Sequence, residues 1–148
     1  MVDFQQFISD LVRQVSVGRT AAGRIAPRFH IRAPIMAVGP DTAIPIGLIV
    51  TEAVSIALGH DFANTPTPEI RIEAVERGGD VELVIEDNGK GRSAEALGSD
   101  SRGSFALTLI RGLAMQLGGE ARVEQKSDGG GRVSVVFPTP APDEPGNA

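Results

Sequence analysis

Residues 69–91 read EIRIEAVERGGDVELVIEDNGKG. Ile70, Ile72 and Ala74 alternate with polar residues, Val81, Leu83 and Ile85 do the same, and Gly78-Gly79 stands between the two runs. Alternation of period two broken by a pair of glycines predicts an antiparallel hairpin, with strands over Glu69 to Arg77 and Asp80 to Asp87. A hairpin that is apolar on one face must bury that face against something else, so the flanking sequence decides the fold.

Upstream, Thr42 to Phe62 is the longest helical pattern in the chain, with Ile44, Leu48, Ile49, Ala53, Ile56, Ala57 and Leu58 apolar. Pro45 is tolerable because it lies near the first turn, and Gly39-Pro40 forms a turn that delivers Asp41 as the cap. Before it, Arg28-Phe29-His30-Ile31-Arg32 alternates as a strand, with Phe29 and Ile31 on one face and His30 on the other, and Ile35 to Val38 forms a short second strand. At the start, Phe4, Phe7, Ile8, Leu11, Val12 and Val15 recur at helical spacing after Asp3, which can cap the first turn, and before Gly18. Downstream, a polar stretch from Arg92 to Gly103 leads into a helix from Ser104 to Leu117, stopped by Gly118-Gly119. A last hairpin then pairs Ala121, Val123 and Gln125 with Val133, Val135 and Phe137. This order has too few crossovers for a doubly wound sheet. It predicts an α+β fold, a two-layer α/β sandwich in which three helices cover one face of a mixed, mostly antiparallel sheet. The ordered domain is expected over residues 1–138, and the proline-rich segment from Pro138, essentially residues 139–148, reads as a disordered tail.

Composition narrows the chemistry. The chain has 148 residues, long enough to bury a core without staples, and it contains no cysteine, which excludes disulfides, thiolate metal sites and a cysteine nucleophile. Two histidines make a histidine-rich metal site improbable, and a formal charge of −5 gives no general attraction to nucleic acid or anionic lipid. No secretory signal is evident, and no apolar run approaches the roughly 18–20 residues of a membrane span, so the chain reads as cytosolic.

The polar run Asp87-Asn88-Gly89-Lys90-Gly91 carries the chemistry. Asp87 ends a strand that is buried on one face, so its carboxylate sits at a sheet end, while the glycines let backbone approach a flat ligand. Such a carboxylate can accept a hydrogen bond from an exocyclic amine like that of adenine. Asn-Gly is equally a hairpin turn signal. Against the turn, Arg92-Ser93-Ala94-Glu95-Ala96 shows no alternation that could pair back on Val81 to Ile85.

The segments IPIGLIVTEAVSIALGHDFA, DNGKG, GSFALTLIRGLAMQLGG and GGGRVSVVFP, in this order and spacing, resemble the ATP-binding catalytic domain of sensor histidine kinases. The likeness is nearest to the HWE type, within the GHKL ATPase superfamily, and runs from about Phe4 to Pro138. It implies the Bergerat-type sandwich, with Mg-ATP held between the long helix and a mobile lid. Position by position, Asp87 matches the adenine-binding aspartate, and Gly89 and Gly91 match the glycines beside the base. Glu52 matches the acidic residue that polarises the attacking group, and His60 matches a basic position near the phosphates. Glu52, Ile56 and His60 share one helical stripe.

The departures gather on one side. Ile56 stands where the family has an asparagine that ligates Mg²⁺, and an alkyl group offers no oxygen, so the chain provides no metal residue there. Thr51 and Gly59 replace a second asparagine and a cation. The lid motif appears as Ser104-Phe105-Ala106-Leu107, with a Cβ at both positions where glycines let backbone N–H groups wrap phosphate. Of the nucleotide-binding positions Ser104, Ala106 and Leu107, the first two are therefore altered while the base side is kept.

The resemblance implies a histidine-kinase-type module of two-component phosphorelay, with ATP as its cofactor, doubtful Mg²⁺, and weakened or lost phosphoryl chemistry. Its partners would be a histidine-bearing dimerisation domain or a response-regulator receiver domain, with no nucleic acid and no membrane. The alternative is a pseudokinase, similar to histidine phosphotransferases, that docks a receiver or kinase without turning over ATP. An anti-sigma-factor serine kinase of the same superfamily fits LIRGLAMQLGG poorly. His60-Asp61 falls inside the long helix and does not read as a phosphoacceptor. His30 reads as an ordinary surface histidine, and Arg111 as a partner for a carboxylate.

Overall fold

The computed structural model describes residues 2–17, 27–34, 37–59, 62, 65–90, 101–127 and 129–140. The hairpin lies where its alternation places it. Strand β4 (Glu69–Arg77) pairs antiparallel with β5 (Asp80–Asp87), Arg77 opposite Asp80. Gly78 and Gly79 close the turn with φ of +56° and +88°, a backbone that residues with a Cβ rarely adopt and that follows the strand twist. Ile70, Ile72, Ala74, Val81, Leu83 and Ile85 are all buried.

Strand β2 (Arg28–Arg32) runs parallel to β4, and β7 (Gly131–Pro138) and β6 (Glu120–Gln125) extend the other edge antiparallel, giving the order β2-β4-β5-β7-β6. The sheet is mixed and mostly antiparallel, as expected. Among the described residues three helices pack on its apolar face: α1 (Phe4–Val17), α2 (Pro40–Leu58) and α3 (Ser101–Gln116). They bury Phe4, Ile8, Ile46, Ile49, Val54 and Ile110 against the strands. Burial of such side chains contributes roughly 1.5–3 kcal/mol each. The opposite face is polar. Glu86 lies there between Arg71 and Arg132, at 3.4 and 3.9 Å, and His30 Nε2 stands 3.2 Å from Glu69 Oε1. Half-exposed pairs of this kind add little stability, but they let the face meet water.

Asp3 caps α1 as expected, its Oδ1 accepting from the Gln6 N–H at 3.1 Å. Several boundaries differ. Helix α2 starts at Pro40 with Gly39 as its N-cap and no side-chain cap, so Asp41 lies inside the first turn. Proline fits there because the first-turn N–H has no helical partner. The helix ends at Leu58 with Gly59 as C-cap, leaving Phe62 outside it, though buried. Ile44 and Leu48 are 62% and 45% exposed and face outward. Helix α3 begins at Ser101, so it takes in Gly103 and ends at Gln116.

A two-residue strand β1 (Val2–Asp3) pairs with β3 (Ala37–Val38) as a separate small sheet, while Ile35 and Met36 lie outside the described residues. Pro138 belongs to β7, opposite Asp80, and the Thr139 N–H donates to the Gly79 carbonyl, so the tail cannot begin at Pro138. Residues 141–148 lie outside the described residues. Contrary to the reading of the sequence, one helix among the described residues is long and apolar enough to cross a membrane: α2 has 19 residues and a mean hydropathy of 1.6. Half of it is buried in the fold, the situation of a core helix.

Candidate functional site

The apolar face of the sheet opens at the end of β5. Asp87 is the last residue of that strand and, at 3% exposure, the only buried charged residue among the described residues. Period two puts it on the same face as Val81, Leu83 and Ile85, pointing toward the helices. A carboxylate held there needs hydrogen-bond donors, and one of its oxygens, Oδ1, accepts from the Gly89 N–H at 3.0 Å.

Beside Asp87 lies a narrow cleft whose free space, about 10 Å³, is that of roughly one water molecule. Ala53, Ile56 and Ala57 of α2 form one wall, and Ile85 and Asp87 of β5, Val123 and Glu124 of β6, and Gly131, Arg132 and Val133 of β7 form the other. The cleft is thus an apolar slot with one buried carboxylate at its side. The character of this lining suits a flat, largely apolar ring bearing a hydrogen-bond donor, which would enter only if the walls move apart.

The structure brings Asp87 and Ile56 of α2 together in one cleft. Glu52, one turn before Ile56, is half-buried and is not in the cleft wall. Gly89 is buried beside Asp87. His60 and Gly91 lie outside the described residues. Ser104 lies in α3 and its side chain is not described; Ala106 and Leu107 are buried in the same helix and do not line the cleft. From Phe105 onward the N–H groups of α3 point to carbonyls four residues back. Thr51 Oγ1 donates to the Gly47 carbonyl at 2.8 Å, so it is spent on its own helix. Arg111 is exposed, and no ion pair to it occurs among the described residues.

No group of three histidine, cysteine, aspartate or glutamate residues that could hold a metal occurs among the described residues, and Ile56 puts a branched alkyl group in the cleft wall. At this point of the wall Ile56 offers a hard cation no oxygen.

Two residues at the sheet end were missed in the sequence. Asn88, read there only as half of a turn signal, binds the connector before β4: its Oδ1 accepts from the Glu69 N–H at 2.8 Å, and its Nδ2 donates to the Thr67 carbonyl at 2.7 Å. Gly130, in the turn joining β6 to β7, abuts the backbone of Asp87, and a Cβ there would overlap the Asp87 carbonyl oxygen. Only the run of three glycines, Gly129 to Gly131, signals that approach in sequence.

Comparison with known proteins agrees with this geometry. Residues 41–141 match the family described as histidine kinase-, DNA gyrase B-, and HSP90-like ATPase. Blue-light-activated histidine kinase 2 of Erythrobacter litoralis is 29% identical over 108 residues, covering 72% of this chain and 31% of its own length. The nitrate/nitrite sensor protein NarX of Escherichia coli K12 is 32% identical over 110 residues, covering 74% of this chain and 17% of its own. The chain therefore spans less than a third of the length of these relatives. Among solved structures, the Erythrobacter litoralis EL346 blue-light activated histidine kinase aligns with a TM-score of 0.76 and 23% identity, over 93% of this chain and 42% of that one. ShkA in complex with AMPPNP aligns with a TM-score of 0.71 and 17% identity, over 95% and 31%. At those identities the structural likeness establishes the fold.

Proposed function

The chain belongs to the histidine kinase-, DNA gyrase B-, and HSP90-like ATPase family, and from that premise we propose that it is the nucleotide-binding domain of a two-component phosphorelay protein, one that keeps its base site while its Mg-ATP chemistry is weakened. The observation that carries this reading is the pairing of Asp87 and Ile56 on facing walls of one cleft. Asp87 accepts the exocyclic amine of adenine, Gly89 holds the carboxylate in place, and the apolar walls exclude water from the ring. Gly91, His60, Ser104, Ala106 and Leu107 are the proposed neighbours of the nucleotide, by their match to the family pattern. Glu52 is the proposed base for a group attacking the γ-phosphoryl. Ile56 gives the triphosphate no metal to neutralise it, and phosphoryl transfer depends on such positioning and charge neutralisation. The proposed partner is a histidine-bearing dimerisation domain or a receiver domain, in the cytosol.

Calorimetric titration with ATP, with and without Mg²⁺, tests the reading. The expected result is a saturable isotherm that is nearly indifferent to Mg²⁺, with a metal-dependent increment appearing in Ile56→Asn. Absence of heat at millimolar ATP rejects it. In that case the second reading, a docking pseudokinase, stands on a separate observation: Phe105 and Met115 of α3 are 66% and 74% exposed, and Ile44 and Leu48 of α2 also face outward. Large apolar side chains left in water on a helical layer suit a protein partner.

A further inference from the structure

Asn88 makes two side-chain and two main-chain hydrogen bonds, two to Glu69 at the start of β4 and two to Thr65 and Thr67 in the connector before it, and none of the proposed roles uses it. The register explains the pattern. Asp87 stands opposite Ile70, so the next rung of the ladder would set Asn88 against Glu69. The Asn88 N–H does reach the Glu69 carbonyl, at 3.3 Å. The Glu69 N–H, however, is taken at 2.8 Å by the side-chain Oδ1 and not by the Asn88 carbonyl. The side chain completes the rung in place of the main chain. This frees the Asn88 carbonyl to turn out of the ladder, where it accepts from Thr65 Oγ1 at 3.3 Å. The amide Nδ2 secures the arrangement on the Thr67 carbonyl at 2.7 Å.

Strand β5 therefore ends because Asn88 finishes its pairing, and the peptide planes on both sides of residue 88 are fixed. The following N–H, that of Gly89, is thereby turned back onto Asp87 Oδ1 at 3.0 Å. We infer that Asn88 is a positioning residue that sets the Asp87 carboxylate for its ligand, acting through the direction of the Gly89 N–H. The inference rests on the reading that Asp87 receives a nucleobase amine. Only a side chain with both an acceptor and a donor at this length can do this, because Glu69 offers an N–H and Thr67 offers a carbonyl.

The test compares wild type, Asn88→Ala and Asn88→Asp in two measurements. One is the affinity for ADP by calorimetry, and the other is amide hydrogen exchange of Gly89 by NMR in the ligand-free protein, with the amides of Leu83 and Val135 as references. Asn88→Ala is expected to weaken ADP about tenfold and to speed Gly89 exchange by about tenfold or more, with the reference amides unchanged. Asn88→Asp keeps the acceptor for Glu69 but sets a carboxylate against the Thr67 carbonyl, and is expected to fall between. Gly89 exchange unchanged in Asn88→Ala overturns the inference. So does an increase shared equally by Leu83 and Val135, which marks a merely structural role, and so does wild-type ADP affinity with Gly89 released. If wild type binds no ADP, the nucleotide reading falls, and Gly89 exchange still decides whether Asn88 holds the turn.

Discussion

The two walls of the cleft are built by different rules. On the sheet side, β5 ends in a buried carboxylate whose surroundings are held by backbone: Gly89 on its oxygen, Gly130 against its carbonyl, and Asn88 tying the next residue to Glu69. On the helix side, α2 presents Ala53, Ile56 and Ala57, which offer shape and no polar group. Recognition of a base needs one well-placed acceptor and two apolar surfaces, and that much is assembled. Holding a triphosphate needs several donors and a cation, and the helix wall lacks the oxygen ligand at Ile56. On the proposed reading the two halves of the ligand are served by separate elements, so a change on one wall leaves the other intact.

The largest expected effect comes from removing the buried carboxylate. Asp87→Ala should weaken ADP by about ten- to a hundredfold, the worth of a hydrogen bond to a charged group, measured by calorimetry. Equal affinity in wild type and variant would place the base elsewhere and end the contrast between the walls. Next, Gly130→Ala forces the β6–β7 turn away from Asp87, because the new Cβ would overlap its backbone carbonyl. Overpacking of that kind costs roughly 1–3 kcal/mol, to be read as a lowered midpoint in urea together with weaker ADP binding. An unchanged midpoint would show that the turn yields freely. Ile56→Asn adds an oxygen to the helix wall and should leave Mg-free binding within about twofold while adding a Mg²⁺-dependent gain of up to about tenfold. The absence of any gain would locate the metal deficit at another residue.

Legibility in the sequence followed the same division. The hairpin from Glu69 to Asp87 could be read to the residue, because alternation and Gly78-Gly79 are local signals that tertiary context does not override. The ends of α2 could not. Pro40 reads as a turn residue although it is also acceptable at a first helical position, and Phe62 continues the apolar pattern beyond Gly59 because it is buried from outside the helix. Strand β1 is two residues, too short to alternate, whereas β3 lies within the short strand expected over Ile35 to Val38. Asp87 was legible as a site residue by its place at a strand end. Asn88 was not, because its role depends on lying opposite Glu69, and that is known only once the register of β4 and β5 is fixed. Gly130 was hidden for a similar reason, since its neighbour, Asp87, is distant in sequence and adjacent only after the sheet has formed.

The smallest expected effect separates binding from chemistry on the helix wall itself. Glu52 lies one turn before Ile56, is half-buried, and takes no part in lining the cleft. If its role is to polarise an attacking group, it contributes to the barrier and not to ground-state affinity. Glu52→Gln keeps the shape of the side chain and removes the charge, so ADP and ATP affinity should stay within about twofold. Any residual phosphoryl transfer should fall by about a hundredfold or more, followed by release of radiolabelled phosphate or by transfer to a histidine-bearing partner. The same variant in the Ile56→Asn background makes the test more demanding. Restored metal binding without Glu52 should raise affinity and leave turnover low, which would put the two losses on one helix but in two separate functions. A drop in affinity with Glu52→Gln would instead make the glutamate part of the binding wall, and the division between a sheet that binds and a helix that reacts would no longer describe the site.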